Sequence, residues 1–228
     1  GVSGSHSSAS GSTAVSGGAT VTVSAAAGPF LSAVQVEVYS ANGNLLGTGS
    51  YDASSGQVEI ALDSGYSGAV LVVVSDSNGS GADYISEATG ESVSLDGSLR
   101  AMAMLDSSGS LTLSVTPLTE LAVVLAGIND VEDLASSALT VEQVALNDSV
   151  AALFGVEDIL GAATTVVDAG YDQTDGVSSS ELYGQVLALL SGSEAVSGSI
   201  SELVASLATE ITLAADGTAS LSADAAAL

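Results

Sequence analysis

The 228-residue chain has no cysteine, no lysine and no tryptophan, and it carries one arginine (Arg100) and one histidine (His6). Each absence removes a class of chemistry. Without cysteine there is no disulfide, no thiolate metal site and no thiol nucleophile. Without lysine there is no G-x-x-x-x-G-K-S/T phosphate cradle, and Lys–Asn isopeptide cross-links cannot form. One basic residue against 27 acidic ones gives a formal net charge of −26. Gripping nucleic acid by its phosphates needs several Lys or Arg, so that partner is excluded, and docking on anionic lipid is disfavoured. A Ser–His–Asp triad would have to recruit His6 from a Gly/Ser-rich arm. A glycosidase cleft needs facing carboxylates and ring-stacking aromatics. Here the aromatic fraction is 4%, with two phenylalanines. The acidic pairs Glu132-Asp133 and Glu157-Asp158 are sequence neighbours near expected helix starts, where they suit the positive end of the helix dipole. No apolar run reaches the ~18 residues of a membrane span. The sequence predicts a protein that is not an enzyme.

What is present is small apolar residues and carboxylates. Hydrophobic residues make up 46% of the chain, and counting the 26 glycines raises this to about 57%, against roughly 45–50% in ordinary domains. With so few aromatics, that content is Ala, Val and Leu. The mean hydropathy of +0.51 beside so large a negative charge predicts apolar area that an assembly of copies would bury. The acidic surface itself suits an extracellular milieu, and it also suits divalent cations.

The clearest structural signal runs from Ser32 to Val74. Val34, Val36 and Val38 alternate with polar residues, as do Val58 and Ile60, and Asn42-Gly43-Asn44 marks a turn. Residues 69–74 are uniformly apolar, which predicts a strand covered on both faces. Residues 19–26 read as a first strand, 91–95 and 98–105 as later ones, and 110–115 as the last of about seven to nine. The period then changes. Thr116 is an N-cap candidate, Pro117 a first helical residue, and Leu118, Leu121, Ala122 and Leu125 share a helical face ending at Gly127. A second helix is predicted over 140–154 with Gly155 as its stop. Ser178 and Glu181 form a capping box for a third, with Leu182, Val186, Leu189 and Leu190 inward. A fourth is predicted over 194–212. The fold class is therefore α+β, an N-terminal Ig-like or transthyretin-like β-sandwich followed by a small α-helical bundle. The parts are a Gly/Ser arm at 1–18, a sandwich at 19–116, a helical region at 117–212 and a tail at 213–228 that reads either as a strand near 218–223 or as a frayed helix end.

The order V-x-V-Y-x-A-N-G-x-L-L-G-T-G-x-Y-D-x-x-S-G-x-V-x-I-x-L, from Val36 to Leu62, resembles the carboxypeptidase-regulatory-like (transthyretin-like) sandwich modules of bacterial surface proteins. The stretch from Leu113 to Ala122 is similar to the junction at which such sandwiches lead into helices in surface proteins and lipoproteins. The resemblance covers roughly residues 19–190. It implies the fold and an extracellular or cell-surface location, and it brings no catalytic residues.

Two acidic loops have calcium-like spacing. One carries Asp76, Asn78 and Asp83, the other Asp168, Asp172 and Asp175. Neither has the EF-hand register, and Asp, Asn and Gly also make ordinary turns. No other cofactor is expected. The leading functional expectation is a structural subunit of a secreted bacterial surface filament or matrix, partnered with itself. In it, Val15, Val21 and Val23 of the N-terminal segment add to the open sheet edge of a neighbour. The alternative expectation is a surface-anchored adhesin or ligand-binding lipoprotein module with binding loops at one end of the sandwich. A first residue of glycine rather than methionine fits a processed chain. A Gly/Ser-rich start also follows the lipidated cysteine of lipoproteins, so a lipid anchor upstream of Gly1 is compatible with it.

Overall fold

The computed structural model describes residues 18–26, 30–31, 34–51, 54–62, 65–77, 82–86, 89–95, 97–163, 178–197 and 199–222. The chain is mixed α+β, with strands in several sheets followed by helices. A four-stranded antiparallel sheet has the order β3-β2-β5-β8, built from Val34–Ser40 (β2), Leu45–Ser50 (β3), Gly68–Asp76 (β5) and Ser98–Leu105 (β8). A three-stranded sheet places Thr20–Ala25 (β1) between Val58–Ala61 (β4) and Ser110–Val115 (β9). Tyr84–Ile85 (β6) and Ser92–Val93 (β7) make a small separate hairpin.

Cross-strand register explains why residues 69–74 of β5 are apolar throughout. Opposite residues point to the same face. Val36, Val74 and Leu99 form one row and Val38, Val72 and Ala101 the next, all fully buried on one face of the sheet. The other face carries Tyr39, Leu71 and Met102, then Glu37, Val73 and Arg100. The helix Pro117–Leu125 (α1) packs against β8 and covers it. The residues at 69–74 are thus sandwiched, as their composition predicts.

The helices start where side chains can satisfy free backbone N–H groups. The Thr116 hydroxyl accepts from the Leu118 and Thr119 amides, and the Thr116 amide in turn donates to the Thr119 hydroxyl oxygen at 2.8 Å. Asp133–Ser136 (α2) is a single turn. The predicted second helix is broken in two, Val141–Val144 (α3) and Leu146–Phe154 (α4). Thr140 and Gln143 cap α3 reciprocally, and Gly155 closes α4 at φ +69°. Ser178 and Glu181 form the expected box at the start of Ser179–Ser197 (α5), whose Ser178 amide donates to the Glu181 carboxylate at 2.8 Å. Ser199 caps Ile200–Glu210 (α6). The chain then turns back in a hairpin of Ile211–Leu213 (β10) and Ala219–Leu221 (β11), which resolves the tail as strand where it is described. No helix falls among the described residues of 34–74 and no sheet among those of 178–208.

The face of α5 differs from expectation. Leu189 is 75% exposed and Leu182 is also exposed, while Tyr183, Leu187 and Leu190 are buried. Leucines lie on both sides of this helix, so periodicity leaves its rotation undecided. Hydrogen bonds decide it. Buried Tyr183 donates to the Ile159 carbonyl at 2.6 Å and meets the Thr116 hydroxyl, and buried Ser191 pairs with Ser86 at 3.1 Å. Turning this face of α5 outward would strip the Ile159 carbonyl and the Thr116 and Ser86 hydroxyls of these bonds. Strands and helices share one buried cluster.

Candidate functional site

The N-terminal strand is the element on which the assembly expectation rests. Val21 and Val23 lie on β1, fully buried. Val21 stands opposite Ile60 of β4 and Leu111 of β9, and Val23 opposite Val58 and Leu113. The β4 pairing is antiparallel and the β9 pairing parallel. The Thr20 amide donates to the Gly109 carbonyl at 2.8 Å, and the Ala26 amide to the Val115 carbonyl at 2.9 Å. Burial of each valine contributes about 1.5–3 kcal/mol. In the single chain, then, β1 stands in the middle of its own sheet and not on an outer edge. Val15, and His6 with it, lies outside the described residues.

Of the calcium candidates, Asn78, Asp168, Asp172 and Asp175 also lie outside the described residues. Asp76 ends β5 and is half-buried. Asp83 is fully buried, with Oδ2 accepting from the Leu95 amide at 2.6 Å and Oδ1 without a hydrogen-bond partner among the described residues. Asp83 therefore braces the β6–β7 hairpin. Among the described residues no three His, Cys, Asp or Glu side chains converge as metal ligands.

The acidic pairs take local roles. Asp133 opens α2, and its carboxylate accepts from the Asn129 and Asp130 amides, which hold it below the usual aspartate range. Glu132 makes no capping bond. Glu157 and Asp158 lie beyond α4 and not at a helix start. There Glu157 accepts from the Ser179 hydroxyl at 2.6 Å and Asp158 from the Leu160 amide at 2.9 Å.

Sequence reasoning missed the most connected polar group. Arg100, on β8, is buried and paired with buried Glu120 of α1 at 2.7 Å. Glu120 also accepts from the Arg100 Nε and backbone amide, and Nη1 donates to the Ile128 and Asn129 carbonyls. Burial pushes the Glu120 carboxyl above the usual glutamate range, with Arg100 working in the opposite direction. A groove of about 510 Å³ lies beside the pair, lined by Tyr39, Asn44, Asp130 and Glu132 among others. The Tyr39 phenol donates to Glu37 at 2.7 Å and is pushed up to about 12, first by burial and then by that bond and the nearby carboxylates. A signal for the pair was available, since the one cation stands inside the apolar strand SLRAMAML and a buried charge needs a partner.

A second groove, about 580 Å³, separates α4 from the β10–β11 hairpin, and the Ser149 hydroxyl crosses it to the Gly217 carbonyl at 2.6 Å. Asp148, Asp216 and Ser220 also line this second groove. No protein-family model, curated protein or solved structure matches this chain.

Proposed function

We propose that this chain is a structural subunit of a secreted bacterial surface filament or extracellular matrix, and that its copies join through the N-terminal segment. On this reading the protein works by self-association rather than catalysis, and its two sheets are the transthyretin-like sandwich suggested by the resemblance of Val36 to Leu62. The observation that carries the reading is the position of β1. The first described strand completes a sheet from the middle, with buried valines and backbone pairing on both sides. A strand so placed is an element one copy can supply to another. Apolar content above the ordinary level, together with Leu189, Val141, Leu45 and Met104 exposed on the single chain, favours further contacts between copies. Sedimentation and negative-stain electron microscopy of the purified chain test it. Long regular polymers are expected, and a monomer at all concentrations and salt conditions overturns the reading.

A further inference from the structure

We propose that β1 joins copies by exchange: it leaves its own sheet and fills the slot between β4 and β9 of the next copy, rather than adding to an outer edge. The proposal rests on the polymer reading above and specifies its joint. β1 is paired with β9 along its whole length and with β4 over Thr20 to Val23, so little of its backbone edge is left for a neighbour. It can serve a second copy only by vacating the first. The vacated slot is then defined, because β4 and β9 each pair with β1 and, among the described residues, not with one another. The incoming β1 of another copy restores the same register, the same buried Val21 and Val23 and the same hydrogen bonds. The strand contacts made within a chain and between chains are therefore alike, and concentration and the linker decide between them.

Two further features suit β1 to this transfer. It is uncharged: no Asp, Glu, Lys or Arg occurs before Glu37 in the sequence, so all 27 carboxylates lie from Glu37 onward. A segment without carboxylates enters a neighbour of strongly negative charge with no like-charge penalty, which no comparably long stretch elsewhere in the chain could do. Finally, the linker has an anchor. Phe30 is buried, stacked on Tyr84 at 5.5 Å and edge-on to Tyr51 at 6.1 Å, and the Leu31 amide donates to the Asp83 carbonyl. From Ala25 to Phe30 the chain spans at most ~17 Å when extended. The slot being filled must therefore lie within that distance of the donor's Phe30, so exchanged copies sit in direct contact.

The chain lacks cysteine, so an introduced pair is its only disulfide. Thr22 of β1 stands opposite Glu59 of β4, with Thr22 half-buried and Glu59 exposed. Opposite residues of an antiparallel pair have Cα atoms about 4.5–5.5 Å apart, within disulfide range. The T22C/E59C variant is assembled under reducing conditions, oxidised, and run on a denaturing gel without reductant. T22C/T112C, which bridges β1 to β9 instead, serves as a second variant should the first fold poorly. Exchange predicts a ladder of covalent multimers from sedimented polymers. Sedimented polymers that yield only monomer bands with an internal disulfide overturn exchange while leaving the polymer reading intact. A variant and a parent chain that never sediment overturn the polymer reading and exchange with it.

Discussion

Arg100 illustrates what one residue can govern. It is the single basic side chain, and it joins β8, α1 and the loop at 128–129 through Glu120 and two carbonyls. Arg100→Met would leave the Glu120 carboxylate buried without its counter-charge, at a cost of about 3–5 kcal/mol. The variant should therefore unfold at a lower urea concentration near neutral pH. The pH dependence has a definite sign. Burial already raises the Glu120 pKa in the folded state, and the variant loses the group that opposes the rise. An acid with a raised folded pKa costs stability above that pKa, and the cost is relieved as pH falls through it. The deficit of Arg100→Met relative to the parent should shrink as pH falls from neutrality toward the ordinary glutamate range, and Arg100→Met/Glu120→Leu should recover part of it at neutral pH. A deficit that grows on acidification would contradict this account. The pair was half legible in the sequence. An arginine inside an apolar strand demands a partner, but twenty residues separate it from Glu120 and no local pattern names that glutamate among 27 acids.

At the scale of elements, β3 and β4 meet across glycine. A Cβ on Gly47 would lie 2.9 Å from Ile60 Cγ2 and 3.0 Å from the Ala61 carbonyl oxygen. In an open strand, replacing glycine by alanine stabilises by about 0.5–1 kcal/mol. Here the neighbours are a buried β-branched side chain and backbone, neither of which moves easily, and overpacking of this kind costs about 1–3 kcal/mol. Overpacking wins, so Gly47→Ala should lower the urea midpoint, and a raised midpoint would show that β3 can draw back from β4. Three helix starts were legible for a local reason. Thr116, Thr140 and Ser178 cap within three residues of themselves, so the chemistry of the start is written beside it. The fourth helix was misplaced: the span 194–212 begins inside α5 and ends in β10, and Ser199 caps the helix between them. The rotation of α5 was not legible. Its leucines surround the helix, and the side that turns inward is the one whose Tyr183 and Ser191 find distant hydrogen-bond partners.

Across the whole molecule the dominant quantity is charge. Copies of a subunit with net charge −26 repel one another. The range of that repulsion falls from ~30 Å at ~10 mM salt to ~8 Å at ~150 mM. The assembly proposed above should therefore be weak at the lower concentration and rise steeply toward the higher one, read as the sedimentable fraction at fixed protein concentration. A fraction that falls with added salt would mean that attraction between charges, and not strand and apolar contact, holds the copies together. The same charge predicts no saturable DNA binding in a gel shift at physiological salt.

The sequence by itself determined the local and the collective properties of this protein. Alternating valines specify strands, capping residues specify helix starts, and composition specifies the polyanionic surface, because each depends on residues a few positions apart or on simple sums. Tertiary structure decided the rest. It set the insertion of β1 between β4 and β9, the choice of Glu120 as the partner of Arg100 and the inward face of α5. Each of these is a competition among many similar residues for a limited number of buried positions. Its outcome depends on which distant backbone edge or hydrogen-bonding group is left to satisfy, a property of the packed chain and not of any short stretch of it.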